Sequence, residues 1–215
     1  MPYDDRVATA PVILVTGFQS FGPHPANPSE DVAKAVDGRV VGACTVRAAI
    51  LPVHHREAGA LVERVLAEID PVAVVHLGLA AGRARVALER VAVNVMDYTL
   101  PDNAGYEARD ETCAPGGPAA YLSTLPLRAM LAALIADGIP AYISDTAGTY
   151  LCNQTLYGTL HTLAAGQRRA MAGFIHFPLT PAMVAAAGLE QPSMDVGLMV
   201  RAVEVVLGVA ARSVA

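Results

Sequence analysis

Almost continuously apolar runs recur along the chain and alternate with segments of a different pattern. VILV, AVVHL and GFIHF are the clearest of these runs, and such runs are typical of strands that are covered on both faces. The predicted strands are residues 12–18, 45–53, 73–78, 86–97, 140–145 and 173–178. Because helical segments lie between them, the pattern predicts a mostly parallel sheet with helices on both sides.

The segments between the strands place apolar residues at a spacing near 3.6, the period of an α-helix. The predicted helices are residues 29–36, 55–69, 125–138, 149–165 and 194–211. Ser29 is the expected N-cap of the first helix, since acidic residues follow it in the first turn. The predicted fold is therefore a three-layer α/β/α single domain over residues 1–215, with a central twisted, mostly parallel (mixed) sheet.

Residues 98–123 form the longest irregular stretch, and Pro, Gly, Asn and Asp punctuate it. A long loop in a compact domain is often a lid or part of a pocket. We therefore expect this loop beside the functional site.

Composition and charge exclude several classes of protein. A length of 215 residues, 53% of them apolar, favours one domain with a sizeable core. The net charge is −5 and Lys34 is the single lysine, so the basic surface of a nucleic-acid-binding protein is not expected. No uninterrupted apolar window approaches the ~18 residues of a membrane span, and MPYDDRVATA resembles neither a signal peptide nor a transit peptide.

The three cysteines, Cys44, Cys113 and Cys152, are odd in number and lack CxxC spacing. This pattern argues against a disulfide framework and against structural zinc. With no export signal, we expect a cytoplasmic, reducing environment.

Cys152 falls in the predicted first turn of the helix that follows strand 140–145. Thr146 or Thr149 is the expected cap of that helix. Free N–H groups and the helix dipole at such a position lower a thiol pKa, and open α/β folds bind ligands at the carboxyl ends of their strands. Cys152 is therefore a candidate nucleophile, although free cysteines also commonly pack as small core residues.

A thiol nucleophile needs a base, and the histidines supply candidates. His176 ranks first, because it lies at the end of strand 173–178, which is expected to reach the same sheet edge as the cysteine. His161 is too far along its helix to touch the sulfur, and His76 lies within a buried strand and is a predicted core residue. His54 and His55 follow a strand and are expected in a solvated loop.

Glu89 lies in VALERVAVNV, an otherwise apolar run. A carboxylate in such surroundings needs a cation or a hydrogen-bond donor. Arg90 or another arginine is one possible partner and a histidine is the other, and the spacing along the sequence does not decide between them.

Family motifs occur in order over almost the whole chain, from about residue 12 to residue 207. They are VTGFQSFGPHPANPS (15–29), LPV (51–53), HLGLAAGR (76–83), ERVAVNVMD (89–97), LPDNAG (100–105), AYISDTAGTYLCN (141–153) and GFIHFPLTP (173–181). Together they make the chain resemble the pyroglutamyl peptidase I family, the pyrrolidone carboxyl peptidases.

The resemblance implies a cysteine peptidase that removes N-terminal pyroglutamate from peptides through a thioester acyl-enzyme. By motif, the implied catalytic residues are Glu89, Cys152 and His176. No cofactor and no metal are implied. The implied partners are pyroglutamyl peptides and further copies of the chain in a homotetramer, with no nucleic acid and no membrane.

The resemblance also implies a substrate pocket. Phe18 and Phe21 match aromatic residues that pack against the pyroglutamate ring, and the backbone near Leu79 matches the segment that hydrogen-bonds the lactam. Asn27 matches a further motif position, although Asn before Pro is also an ordinary turn residue. The alternative for the two phenylalanines is that they are core aromatics.

Three positions depart from the pattern of many members, which have Gln at Leu79, Arg at Thr99 and Asn at Asp145. The added charge of Asp145 is expected to raise the pKa of Cys152 and slow the enzyme. One alternative to an active peptidase is therefore a relative that binds pyroglutamyl peptides but turns them over poorly.

A second alternative function is that of a nucleoside-phosphorylase-like enzyme, in which GLAAGRAR (78–85) would be the phosphate loop. This segment lacks the spacing of known phosphate-binding motifs.

Overall fold

A seven-stranded mixed sheet forms the centre of the structure, a computed structural model that describes residues 10–22 and 26–214. The strands are β1 (Val12–Phe18), β2 (Val40–Val41), β3 (Cys44–Leu51), β4 (Ala73–Leu79), β5 (Val86–Glu89), β6 (Val91–Val93), β7 (Ala120–Leu122), β8 (Ala141–Ser144) and β9 (Met171–Phe177). The helices are α1 (Pro28–Val36), α2 (Glu57–Ile69), α3 (Leu127–Ala136), α4 (Leu151–Ala165), α5 (Pro181–Ala187) and α6 (Val196–Ser213). The N-terminal segment and His24 lie outside the described residues.

The strand order in the central sheet is β2-β3-β1-β4-β9-β5-β8. Strands β3, β1, β4 and β9 are mutually parallel, while β2 runs antiparallel to β3. Strand β5 pairs antiparallel with β9 and parallel with β8. The predicted mostly parallel, mixed sheet is therefore confirmed, with its direction reversed between β9 and β5.

The two faces of the sheet pack against different helices. Phe174 on β9 belongs to a buried cluster with residues of α2 and α4, whereas Ile175 and Phe177 belong to a cluster with α1, α3 and α6. Since successive side chains of a strand point to opposite faces, His176 faces the same side as Phe174. The predicted three-layer α/β/α arrangement is confirmed.

Asn27, and not Ser29, is the N-cap of α1, because its Oδ1 accepts a hydrogen bond from the Ser29 N–H at 3.1 Å. Ser29 is buried in the first turn, where its Oγ accepts from the Phe18 N–H at 3.0 Å. Gly17 allows this contact, since a Cβ there would lie 2.2 Å from the Ser29 carbonyl oxygen. The end of β1 and the start of α1 are thereby held together.

The strand predicted over residues 86–97 is two strands in two sheets. β5 ends at Glu89, and after Arg90 the chain continues as β6, which pairs with β7 in a separate two-stranded sheet. The pattern of apolar residues continues through Arg90 and so did not reveal the break. Strands β2 and β7 and helix α5 were not predicted, because the strands are very short and no residue of α5 is buried.

In the part of the chain that the structure describes, no helix has both the length and the apolar character needed to cross a bilayer.

Candidate active site

Glu89 and His176 are diagonal neighbours across the antiparallel pair β5–β9. Glu89 lies opposite Phe174 and Ala87 lies opposite His176, so both side chains project from the same face of the sheet. Oε1 of Glu89 lies 2.8 Å from Nδ1 of His176, and both residues are buried. A carboxylate only accepts hydrogen bonds, so we assign the ring proton to Nδ1, which leaves Nε2 free to accept a proton.

Arg83 is a second partner of the same carboxylate. Its Nη1 donates to Oε1 of Glu89 at 2.5 Å, and its Nη2 lies 3.4 Å from the carbonyl oxygen of Thr146. Both kinds of partner considered for Glu89, a histidine and an arginine, are therefore present. The arginine is not Arg90, which pairs with the exposed carboxylate of Asp145 at 2.9 Å.

Cys152 lies in the first turn of α4, as predicted, but the predicted caps of this helix are wrong. The N-cap is Tyr150, which makes no side-chain cap hydrogen bond. Thr149 Oγ1 instead donates to the Asp97 carbonyl at 2.7 Å, and Thr146 Oγ1 accepts from the Gly148 N–H at 3.0 Å. Without a side-chain cap, the first N–H groups of α4 are available to an anion.

The sulfur of Cys152 lies over β4, beside His176. A Cβ placed on Gly78 would be 3.1 Å from Sγ, and Gly78 is the register partner of His176 in the parallel pair β4–β9. Within the described residues, no hydrogen bond joins Sγ to the imidazole. Such contacts commonly tighten only when substrate binds.

The path by which Cys152 reaches His176 differs from the expected one. β8 was expected to end at the same sheet edge as β9, yet it runs antiparallel to β9 and ends at Ser144, level with Glu89 and Phe174. Residues 145–150 then return the chain toward the carboxyl ends of β4 and β9, where α4 begins.

Burial raises the pKa of the Cys152 thiol to about 12, and the negative charge of Glu89 adds to the increase while Arg83 opposes it. A backbone hydrogen bond at the helix start lowers this pKa, as expected, but burial outweighs it and the net shift is upward. Asp145 is not among the causes, because its side chain is 72% exposed and paired with Arg90. The negative charge that acts on the thiol is that of Glu89.

Burial also lowers the pKa of His176, an effect that Glu89 opposes and Arg83 reinforces. For Glu89, burial alone would raise the pKa, but the hydrogen bond and charge of His176 and the charge of Arg83 bring it below its usual value. At neutral pH the site therefore holds a neutral thiol, a neutral imidazole and an ionised carboxylate.

A cavity of about 240 Å³ opens above the sulfur. It is lined by Cys152 and His176 together with all four residues expected in the pocket, namely Phe18, Phe21, Leu79 and Asn27. Glu89 does not line the cavity and lies buried behind His176. The structure thus brings together every residue that the resemblance singled out.

Sequence reasoning missed several lining residues. Arg83 and Tyr150 line the cavity, and the Tyr150 ring lies 6.1 Å from that of Phe21. The positions of Arg83 at the end of HLGLAAGR and of an aromatic residue close before Cys152 were available signals. Thr99 and Leu100 also line the cavity, so part of the long loop 98–123 is a pocket wall, as expected.

Phe18 and Asn27 also have structural roles. The Phe18 side chain is almost fully buried and its ring lies 6.4 Å from that of Phe174. The Asn27 amide donates to the Gln19 carbonyl at 3.1 Å in addition to capping α1. Phe18 therefore belongs to both core and cavity, and Asn27 fixes the loop that carries Phe21.

Asp102 anchors the long loop beside the cavity. Its carboxylate accepts hydrogen bonds from the backbone N–H groups of His55, Ala104 and Tyr106 at 2.8–2.9 Å, and its Oδ2 lies 2.8 Å from Nδ1 of His55. Burial alone would raise the pKa of Asp102, but these contacts lower it to about 2.

His54, His55 and Asp102 hold possible metal-ligating atoms within 4.8 Å of one another. The two imidazoles stack nearly parallel, so their in-plane lone pairs do not converge on one ion.

His76 and His161 are each hydrogen-bonded to residues outside the cluster of Glu89, His176 and Cys152. His76 is buried between Thr16 Oγ1 at 2.7 Å and Thr159 Oγ1 at 2.9 Å, which confirms the predicted core histidine. Nδ1 of His161 lies 2.9 Å from the Tyr121 hydroxyl. A second cavity of about 320 Å³, between α2 and α4, includes no member of the Glu89–His176–Cys152 cluster.

Comparison with known proteins gives concordant results. The family model described as pyroglutamyl peptidase matches residues 12–213. The chain is 43% identical over 201 residues to a pyrrolidone-carboxylate peptidase of Pyrococcus furiosus, covering 92% of this chain and 97% of the relative. It is 48% identical over 186 residues to the protein of the same name from Deinococcus radiodurans, covering 86% and 85%. A crystal structure of P. furiosus pyrrolidone carboxyl peptidase superposes with a TM-score of 0.92 at 42% identity, covering 95% of this chain and all of that one.

Proposed function

Because this chain belongs to the pyroglutamyl peptidase family, we propose that Cys152, His176 and Glu89 perform the family's reaction, the removal of N-terminal pyroglutamate from a peptide. The chain is a cysteine omega peptidase, and the family's chemistry proceeds through a thioester acyl-enzyme. The observation that carries the residue assignment is the 2.8 Å contact between Glu89 Oε1 and His176 Nδ1, behind a cavity that Cys152 and His176 both line.

Acylation begins when Sγ of Cys152 attacks the carbonyl carbon that joins pyroglutamate to the next residue. With the pKa of the thiol raised to about 12 and that of His176 lowered, the proton moves to Nε2 as the C–S bond forms rather than beforehand. The oxyanion accepts hydrogen bonds from the uncapped N–H groups in the first turn of α4, where the helix dipole favours negative charge.

His176 then gives this proton to the departing amine nitrogen as the C–N bond breaks, leaving a thioester on Cys152. In deacylation, His176 takes a proton from water while the water oxygen attacks the thioester carbonyl. The C–S bond breaks, the thiol recovers its proton, and free pyroglutamate leaves. Glu89 holds the ring through Nδ1 and stabilises each imidazolium that forms.

The cavity suits a small, flat, uncharged lactam. Such a ligand favours apolar walls with a few polar groups, and Phe18 and Phe21 supply aromatic surface. We assign hydrogen bonding of the lactam to the backbone near Leu79, at the end of β4. Substitution of Gln by Leu at this position leaves those backbone groups unchanged. Asn27 acts by fixing the loop that carries Phe21.

The experiment is hydrolysis of a fluorogenic pyroglutamyl amide by the wild-type chain, Cys152→Ser and Cys113→Ser. Wild type and Cys113→Ser release the fluorophore, and iodoacetamide stops both. Cys152→Ser is at least ~10³-fold slower, by analogy with removal of other triad nucleophiles. No turnover by wild type contradicts the function, and turnover by Cys152→Ser near the wild-type rate contradicts the nucleophile.

The two alternative functions make different predictions. A binding relative weakened by Thr99 or Asp145 would bind pyroglutamyl peptides without hydrolysing them. A nucleoside phosphorylase would need GLAAGRAR to hold phosphate, but Arg83 of this segment is paired with Glu89. Turnover of a pyroglutamyl peptide would exclude the binding relative, and absence of phosphate-dependent nucleoside cleavage would exclude the nucleoside phosphorylase.

We further propose a single domain over residues 1–215, a homotetramer and a cytoplasmic location, each on the resemblance to the family, with no nucleic-acid or membrane partner. The mechanism above uses side chains and backbone alone and calls for no cofactor. Light scattering tests the assembly, cell fractionation tests the location, and unchanged activity in a chelator tests the absence of a metal requirement.

A further inference from the structure

Arg83 joins three segments of the candidate site. It lies in the connection between β4 and β5, its Nη1 donates to Glu89 on β5, and its Nη2 points to the Thr146 carbonyl in the turn before α4. Its side chain is 24% exposed and lines the cavity shared by Cys152 and His176. One arginine therefore connects the carboxylate of the triad with the turn that leads to the nucleophile.

Arg83 and His176 donate to the same carboxylate oxygen. Oε1 of Glu89 receives both, while Oε2 is buried and has no hydrogen-bond partner in the described part of the chain. A buried carboxylate with an imidazole as sole partner favours protonation of that ring, because the ion pair relieves the unpaired charge. A permanent cation on the same oxygen already balances the charge of the carboxylate, so protonation of the imidazole is less stabilised.

We propose that Arg83 is a positioning residue that holds Glu89 ionised, keeps the resting imidazole of His176 neutral, and thereby sets the acid limit of activity. The part of this inference that concerns activity rests on the proposed triad. The part that concerns the charge of the imidazole stands on the contacts of Arg83 alone.

Arg83 is the positively charged group that faces the His176 imidazole in the described part of the chain. Glu89 on β5, Cys152 in α4 and Tyr150 before it are the titratable groups that face the site from those elements, and the pKa of Tyr150 is raised to about 12 by burial. His76 on β4 is hydrogen-bonded to two threonines, and burial lowers its pKa to about 3. Arg83 lowers the pKa of His176, that of Glu89 and that of Cys152.

The test compares Arg83→Gln and Arg83→Lys with Arg90→Gln, which removes a neighbouring arginine that pairs with exposed Asp145. In Arg83→Gln, the acid limb of the kcat/KM pH profile moves upward by about 1 pH unit, the size expected for loss of one nearby charge. Arg83→Lys keeps the charge and shows less than half of this shift. Arg90→Gln leaves the acid limb in place.

A second readout does not depend on turnover. NMR titration of the His176 imidazole gives a midpoint that is higher in Arg83→Gln than in wild type by the same amount. If Arg83→Gln does not fold, the smaller upward shift in Arg83→Lys carries the test. An unchanged midpoint, or equal loss of rate at every pH with no rescue by lysine, overturns the proposal and assigns Arg83 a purely structural role. A shifted midpoint in a chain without peptidase activity refutes the proposed function and leaves the role of Arg83 standing.

Discussion

Oε1 of Glu89 lies 2.8 Å from Nδ1 of His176, although 87 positions separate the two residues in the sequence. The contact exists because β5 runs antiparallel to β9, which makes these residues diagonal neighbours on one face of the sheet. In catalytic triads, a contact of this kind between carboxylate and imidazole selects the tautomer of the histidine.

Glu89→Gln keeps the shape of the side chain but removes its charge and allows the wrong imidazole tautomer. We expect kcat to fall by roughly 10²–10⁴-fold, as for the equivalent change in other triads, with KM changed little. Steady-state kinetics on a pyroglutamyl amide measure this. Glu68→Gln, on the exposed surface of α2, is the matched control, and equal effects of the two substitutions would refute a role for Glu89.

The raised pKa of Cys152 predicts how its alkylation depends on pH. Because the thiol is neutral well above neutral pH, the rate of its reaction with iodoacetamide should rise about tenfold per pH unit through the neutral range, with no plateau. Peptide mapping by mass spectrometry in a Cys113→Ser background assigns the rate to Cys152. A plateau below neutral pH would instead reveal a preformed thiolate–imidazolium pair.

Gly78→Ala tests the approach of the sulfur to β4. The new methyl group would lie 3.1 Å from Sγ of Cys152 and 2.8 Å from the Phe174 ring, so one of these side chains must move. We expect kcat/KM to fall at least ~10-fold, with a loss of about 1–3 kcal/mol in the free energy of unfolding. Gly59→Ala, where a Cβ meets nothing within 4 Å, is the control. Wild-type kinetics in Gly78→Ala would show that this contact does not position the thiol.

His76 should make the protein sensitive to acid. Its pKa is lowered by burial from 6.5 to about 3, so below pH 6.5 the unfolded chain binds a proton that the folded chain does not. The stability that the neutral ring contributes is present above pH 6.5 and falls by about 1.4 kcal/mol per pH unit as the pH drops toward 3. Urea unfolding across this range measures the slope. His76→Gln should flatten it, and an unchanged slope would contradict the assignment.

The sequence was sufficient for the three-layer fold and for choosing candidate residues that the structure places at one cavity, because motifs and apolar runs are local. It was insufficient for the direction of β5 and β8. Residues 80–85 are too few for a parallel crossover, so β5 returns antiparallel to β9, and β8 then pairs parallel with β5. The cap of α1 was misassigned because Ser29 and Asn27 are both good capping residues, and only the structure shows that Ser29 is buried against β1.

The pKa of Cys152 was expected to fall because only one of the effects on it can be read from the sequence. The helix start is visible in the sequence, whereas burial of the thiol and the proximity of Glu89 arise from the packing of α4 on β4 and β9. Arg83 was overlooked because its partner, Glu89, lies on the next strand of the chain, and the fold of the connection between them determines whether they meet.

The most direct test of the central claim is detection of the acyl-enzyme itself. Wild-type protein is mixed with a pyroglutamyl substrate, quenched in acid within a single turnover, digested and analysed by mass spectrometry. The mechanism predicts a pyroglutamyl group in thioester linkage on the peptide that contains Cys152, and its absence from Cys152→Ala. An acyl group on Cys113 or Cys44, or substrate turnover by Cys152→Ala at the wild-type rate, would contradict it.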